Sequence, residues 1–176
     1  MRIISGIYKG RRINPPNNLP IRPVTDMAKE AFFNILNNVL DYESASALDL
    51  FAGAGNVSFE LASRGCNSIL SVDNNLNCLN FIKKFASELN ITAITTIKAD
   101  VFKLLANAGT QYDLIFADPP YDEVNIPLLP KLVFENNLLL SDGIFVLEHP
   151  AKFDFTEDEH CYDHRVYSRV NFSFFK

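Results

Sequence analysis

From Ser46 onward the chain alternates short apolar runs with stretches of helical periodicity, and this alternation leaves few architectures open. Candidate strands fall at about 46–51, 68–73, 93–98, 113–118 and 143–148. The clearest intervening helix runs from Leu76 to Leu89, where Leu76, Leu79, Phe81, Ile82, Phe85, Ala86 and Leu89 form one apolar face. Weaker helical segments follow Asn56, Asp100 and Asp122. Short apolar strands separated by helices predict an α/β fold with a parallel sheet covered on both faces. The tail differs: Tyr162–Ser168 and Val170–Phe175 are aromatic and β-branched runs with little between them, which predicts a terminal antiparallel pair at the sheet edge.

Ahead of this pattern the chain is organised differently. Residues 1–14 alternate around Gly6 and Gly10, as a small β-hairpin would. Asn14 to Pro23 carries four prolines and three asparagines, a loop that hands the chain to the main domain. Thr25 or Asp26 can cap a helix through Ala31, Phe32, Ile35 and Leu36. The expected division is an arm and proline-rich loop over 1–23 and one domain over 24–176, since 176 residues with 48% hydrophobic content suit a single core.

The net charge of −5 conceals an asymmetry. Residues 1–34 hold Arg2, Lys9, Arg11, Arg12, Arg22 and Lys29 against Asp26 and Glu30, a local +4 that leaves −9 for the remainder. A basic arm on an acidic body predicts a polyanion held by one face, with Arg2, Lys9, Arg11, Arg12 and Arg22 as the contacts. No apolar run approaches a membrane span and the first residues lack a signal-peptide pattern, so the expectation is a cytoplasmic protein without a membrane partner. Cys66, Cys78 and Cys161 have neither CxxC spacing nor clustered histidines, so no disulfide framework and no metal site is expected.

The chemistry concentrates at strand ends. Leu48-Asp49-Leu50-Phe51-Ala52-Gly53-Ala54-Gly55 closes the first main strand in a glycine turn, where open α/β sheets bind ligands. The dinucleotide fingerprint is broken, because Ser58 stands where GxGxxG needs glycine. Asp49 precedes the glycines, which suits a cationic or amine-bearing ligand better than a phosphate. Asp73, 24 residues on, can accept both hydroxyls of a ribose. Asp100 could take an adenine amino hydrogen while Val101 and Phe102 flank the ring, although an acid there also caps helices. Asp118 follows at the end of the fourth strand. Acids in register over four strands describe a cleft for S-adenosyl-L-methionine, a nucleoside with an ammonium and a sulfonium but no phosphate.

Asp118-Pro119-Pro120-Tyr121 adds the second half of a reaction. The prolines remove two backbone N–H groups, so the turn offers carbonyl oxygens and a carboxylate without a competing donor. Two acceptors match the two hydrogens of an exocyclic amine, and Tyr121 can stack on its base. The implied step is methyl transfer to a nucleobase amine.

These blocks together resemble the RsmD-type bacterial methyltransferases, which methylate guanine N2 in small-subunit (16S) ribosomal RNA. Arg2-Ile3-Ile4-Ser5-Gly6 with Lys9-Gly10-Arg11 is similar to that family's arm. Arg22-Pro23-Val24-Thr25-Asp26, with Glu30 and Phe32-Phe33-Asn34, is similar to its next block. The glycine turn and Asp118-Pro119-Pro120-Tyr121 complete the set, and the match spans nearly the whole chain. The resemblance implies a seven-stranded, Rossmann-like class I methyltransferase sheet. It implies cofactor contacts from Asp49, Phe51, Gly53, Gly55, Asp73 and Asp100, and the target amine held by Asp118 to Tyr121. The implied partner is ribosomal RNA in an assembling or assembled small subunit; a monomer is the default expectation for the chain itself. An adenine-N6 methyltransferase acting on DNA or RNA is the alternative, because the same four residues serve that amine equally. Two departures stand out: Asp73-Asn74-Asn75 replaces Glu-x-Asp, and Tyr167-Ser168-Arg169 stands where Tyr-Gly is common.

Overall fold

A computed structural model describes residues 1–19, 26–168 and 170–176. Five strands, β1 (Ser46–Leu50), β2 (Ser68–Asp73), β3 (Ile94–Lys98), β4 (Tyr112–Ala117) and β5 (Leu139–His149), run parallel to one another. β6 (Cys161–Tyr167) and β7 (Val170–Phe175) complete a seven-stranded sheet in the order β3-β2-β1-β4-β5-β7-β6. β7 pairs antiparallel with both β5 and β6, as the aromatic tail predicts. β5 begins four residues earlier than its apolar run suggests. An irregularity between Tyr112 and Leu114 lets the ladder restart at Leu139, so the exposed segment before Gly143 joins the strand.

Alternation along the strands splits the core in two. Ala47, Leu114, Phe116 and Val146 face α1 (Asp26–Leu36), α2 (Asn56–Ser63) and α3 (Leu76–Glu88). Leu48, Leu50, Ile115 and Phe145 face α4 (Val101–Asn107) and α5 (Leu128–Glu135). The result is a three-layer sandwich around a sheet whose central strands β1 and β4 are apolar on both faces, while the edge strands β3 and β6 are half-buried to exposed. Phe32 and Phe33 belong to the first core, with Phe32 stacked on Phe172 at 5.5 Å.

The chain builds outward from β1 to β3 and then returns to add β4 and β5 on the other side. Neighbouring loops after β1 and β4 therefore turn away in opposite directions and leave a crevice at their carboxyl ends. The glycine turn and Asp118-Pro119-Pro120-Tyr121 occupy those two loops.

α2 is unusual in burying every residue. It lies under the N-terminal arm, whose hairpin reduces to a bridge between Arg2 and Arg12 with flanking backbone bonds from Ile3 to Arg11 and from Gly10 to Ile3. Ile3 and Ile13 are fully buried, so the arm joins the first core.

Candidate active site

One cavity of about 600 Å³ lies at the crevice. Of the residues expected to form the site, it gathers Asp49, Phe51, Gly53 and Asp73 with Asp118, Pro119, Pro120 and Tyr121. Gly55, Asp100 and Val101 are outside its walls. Gly55 (φ 77) is needed for packing, since a Cβ there would come within 2.9 Å of both Ile82 and Phe59. Asp100 is exposed and spends one carboxylate oxygen capping α4 through the Lys103 N–H at 3.0 Å. Val101 is a core residue, 4% exposed. An acid followed by apolar residues thus reads here as a helix start. Arg22, Thr25 and Arg169 lie outside the described residues.

Asp49 is buried at the floor of the cavity, and its Oδ2 accepts both the N–H (3.1 Å) and the hydroxyl of Ser58. Ser58 Oγ in turn meets Ser71 Oγ at 2.7 Å. The residue that breaks the dinucleotide fingerprint is therefore the one that holds this acid. Burial pushes the Asp49 carboxyl up to about 7; the Ser58 bonds oppose the shift, and the negative charges of Asp118 and Asp73 add to it. Such a group is ready to ionise against a cation.

Asp73 ties the glycine turn to β2. One oxygen accepts the Gly53 N–H at 2.8 Å and the other the Asn75 N–H at 2.8 Å. Asn75 then caps α3 by accepting from the Asn77 N–H at 2.9 Å. The amide that replaces the family's second acid thus starts a helix. Phe51 leaves β1 with φ 57, a left-handed conformation that costs a non-glycine residue roughly 1–3 kcal/mol, and its ring packs edge-on to Phe102 at 6.1 Å.

Across the crevice, Asp118 N–H donates to Leu50 O at 3.4 Å and continues the β1–β4 ladder. Pro120 O accepts the Glu123 N–H at 3.0 Å, which closes the turn, while no donor among the described residues takes the Pro119 carbonyl. Asp118 and Tyr121 are half-buried.

The charged side chains of the cavity are acidic: Asp49, Asp73, Asp118 and Glu123 line it, with no Lys or Arg among the described residues. Phosphate would be repelled and a cationic nucleoside held, so the lining fits S-adenosyl-L-methionine. Met1, Asn56, Phe116 and Glu123 also line the cavity, and no local pattern in the sequence marks them.

The arm is seated by a network that the sequence does not announce. Glu60, fully buried on α2, accepts the Ile4 N–H (2.8 Å) and the Ser5 N–H (3.0 Å) and pairs with Arg64 (2.9 Å) and Lys29 (3.4 Å). Lys29, read from charge as part of a basic surface, is instead 2% exposed. Its ammonium donates to Arg2 O and to Asn56 Oδ1, the latter at 2.9 Å, and so braces arm and cavity wall together. Burial lowers its pKa, opposed by the Glu60 charge. The other cations, Arg2, Lys9, Arg11 and Arg12, are exposed as expected.

This sheet order and a glycine-turn cavity of acids define a class I methyltransferase. The chain belongs to the family described as conserved hypothetical protein 95, the RsmD family, whose model matches residues 1–176. Bacillus subtilis YlbH, which its name assigns provisionally to the rRNA methyltransferases, is 34% identical over 161 residues, covering 89% of this chain and 86% of that protein. Ribosomal RNA small subunit methyltransferase D of Escherichia coli is 27% identical over 148 residues, 84% of this chain and 74% of that one. The solved structure of Escherichia coli YhhF superposes with a TM-score of 0.87 at 25% identity, covering 99% and 96% of the two chains. No helix among the described residues is long and apolar enough to cross a membrane.

Proposed function

We propose that the protein methylates the exocyclic N2 amine of a guanine in small-subunit (16S) ribosomal RNA, as a cytoplasmic monomer working on an assembling or assembled subunit. One observation carries the reading: the Asp118-Pro119-Pro120-Tyr121 turn and the Asp49, Gly53 and Asp73 wall share a single acidic cavity. The relatives named ribosomal RNA small subunit methyltransferase D support rRNA as the substrate class.

S-Adenosyl-L-methionine, when bound, supplies an electrophilic methyl group on a sulfonium sulfur. Asp49 and its acidic neighbours would hold the cationic end, Asp73 the ribose, and Phe51 the adenine side. Asp100 and Val101 would act indirectly, by fixing the head of α4 and with it the Phe102 ring against Phe51. Asp118 and the Pro119 carbonyl would accept the two amine hydrogens. That draws the nitrogen lone pair out of conjugation and fixes its direction. Tyr121 would stack on a guanine taken out of its helix. A strong base is unnecessary, because the methylated ammonium is acidic and loses its proton readily. Arg11 and Arg12, with Arg2, Lys9 and Arg22, would hold the surrounding backbone.

The test is incubation with labelled S-adenosyl-L-methionine and small ribosomal subunits lacking guanine-N2 methylation, with the labelled nucleoside identified by mass spectrometry. N2-methylguanosine is expected. N6-methyladenosine would transfer the protein to the adenine reading, and absence of label despite cofactor binding would overturn both.

A further inference from the structure

Between the docked arm and α1 lies a second cavity, of about 360 Å³, with the opposite character to the first. Among the described residues, Arg2, Lys9 and Arg64 line it against one carboxylate, Glu30, together with Asn34 and Asn37. Glu30 and Asn34 stand one turn apart on α1 and share a face. Asn37 Oδ1 accepts from the Tyr42 hydroxyl (3.0 Å) and from Arg64 (2.9 Å), so its amide hydrogens are left to donate outward. Arg64 is pinned by Glu60 and lies over the Phe33 ring at 4.5 Å. Arg2 pairs with Asp26 at 3.2 Å. Lys9 is exposed and has no acidic partner among the described residues.

A phosphodiester offers only acceptors, and Lys9, Arg2 and the Asn37 amide answer it with donors. Glu30 is repulsive beside a phosphate unless it faces a hydroxyl that can donate to it. In a nucleic-acid backbone that hydroxyl is the ribose 2′-OH, which is absent from DNA. The two cavities are also neighbours in the chain, with Met1 bordering the larger and Arg2 the smaller. A strand with one base in the acidic cavity would carry its adjoining backbone across the arm.

We propose that this arm-walled cavity is a ribonucleotide-backbone subsite, in which Lys9 and Asn37 hold a phosphate and Glu30 accepts a 2′-hydroxyl. It rests on the RNA reading above and makes Glu30 of α1, facing the arm, the residue that distinguishes RNA from DNA. The experiment is fluorescence anisotropy of the full chain with a labelled single-stranded RNA oligonucleotide and its 2′-deoxy counterpart, across a salt series. The wild-type protein should prefer RNA. Lys9→Ala should weaken both complexes and reduce the slope of log K against log salt by about 0.7. Glu30→Ala should erase the RNA preference, mainly by improving DNA binding. Both side chains are exposed, so melting temperatures should stay at the wild-type value. An unchanged salt slope in Lys9→Ala, or a preserved RNA preference in Glu30→Ala, overturns the subsite. Failure of the methyl-transfer reading appears separately, as absence of methylated guanosine in the labelling assay while oligonucleotide binding persists.

Discussion

At the carboxyl edge of the sheet each acid sits at the end of a strand specified by its own neighbours in sequence. The seat of the N-terminal arm instead draws side chains from segments far apart, with Ile4 reaching a Glu60 carboxylate 56 residues on. Both regions are polar and partly buried, yet they tolerate burial differently. Asp49, Asp73 and Asp118 are gathered around a cavity, where burial, and after it the neighbouring negative charges, raise the Asp49 pKa and favour an incoming cation. Glu60 is already answered by Lys29, Arg64 and two backbone N–H groups. Glu60 meets its counter-charges within the fold and completes it, whereas Asp49 is held by Ser58 with no ion pair among the described residues, which leaves its charge to a ligand.

Removing balance at the seat should have the largest effect. Glu60→Gln leaves Lys29 buried without its counter-charge and should cost about 3–5 kcal/mol in urea unfolding, with faster amide exchange at Ile4 and Ser5. A loss below about 1 kcal/mol would show that the pair does not hold the arm. At the cavity the effect should fall on turnover. Asp118→Ala should lower kcat by about a hundred- to thousandfold while titration calorimetry finds cofactor Kd within about twofold of wild type. Equal loss of both would make Asp118 a scaffold residue.

Gly6 has φ 78, and a Cβ there would sit 1.7 Å from the Ser63 carbonyl oxygen. Gly6→Ala should therefore lift the arm tip from α2 at a cost of roughly 1–3 kcal/mol, read as lost exchange protection at Ile7, whose N–H donates to Ser63 O. The change with pH is smaller within any one unit, though it accumulates across the window. With its pKa at about 7 instead of 3.8, Asp49 keeps a proton in the folded state that the unfolded chain releases. Its stabilising contribution is then complete below about 3.8 and lost as pH rises to about 7, by at most about 1.4 kcal/mol per unit. Asp49→Asn should flatten that slope in thermal melts. Cofactor affinity should run the other way in the native protein and strengthen as pH rises through about 7, because the ionised carboxylate attracts the ligand's ammonium.

The strands were legible because each is a short apolar run bounded by helical periodicity, and the tail pair because aromatic and β-branched residues have little to do elsewhere. Asp49, Asp73 and the Asp118-Pro119-Pro120-Tyr121 turn were legible because strand ends map to one edge of a parallel sheet. Asp100 also follows a strand, but β3 is an edge strand, and one Asp100 carboxylate oxygen caps α4. Lys29 shows the limit of local reading, since a lysine three residues into an amphipathic helix looks like surface until the arm covers it.

Alternating hydrophobicity, glycine and proline placement, and acids at strand ends are local properties, and they alone determined the layered sheet, the crevice and the character of its ligand. The tertiary structure decided which acids share a cavity and which residue locks Asp49. It also decided that Glu60 and Lys29 turn a basic tail into a wall of the site. Those outcomes depend on pairing charges between segments distant in sequence, and the dehydration that makes such pairing necessary exists only once the chain has packed.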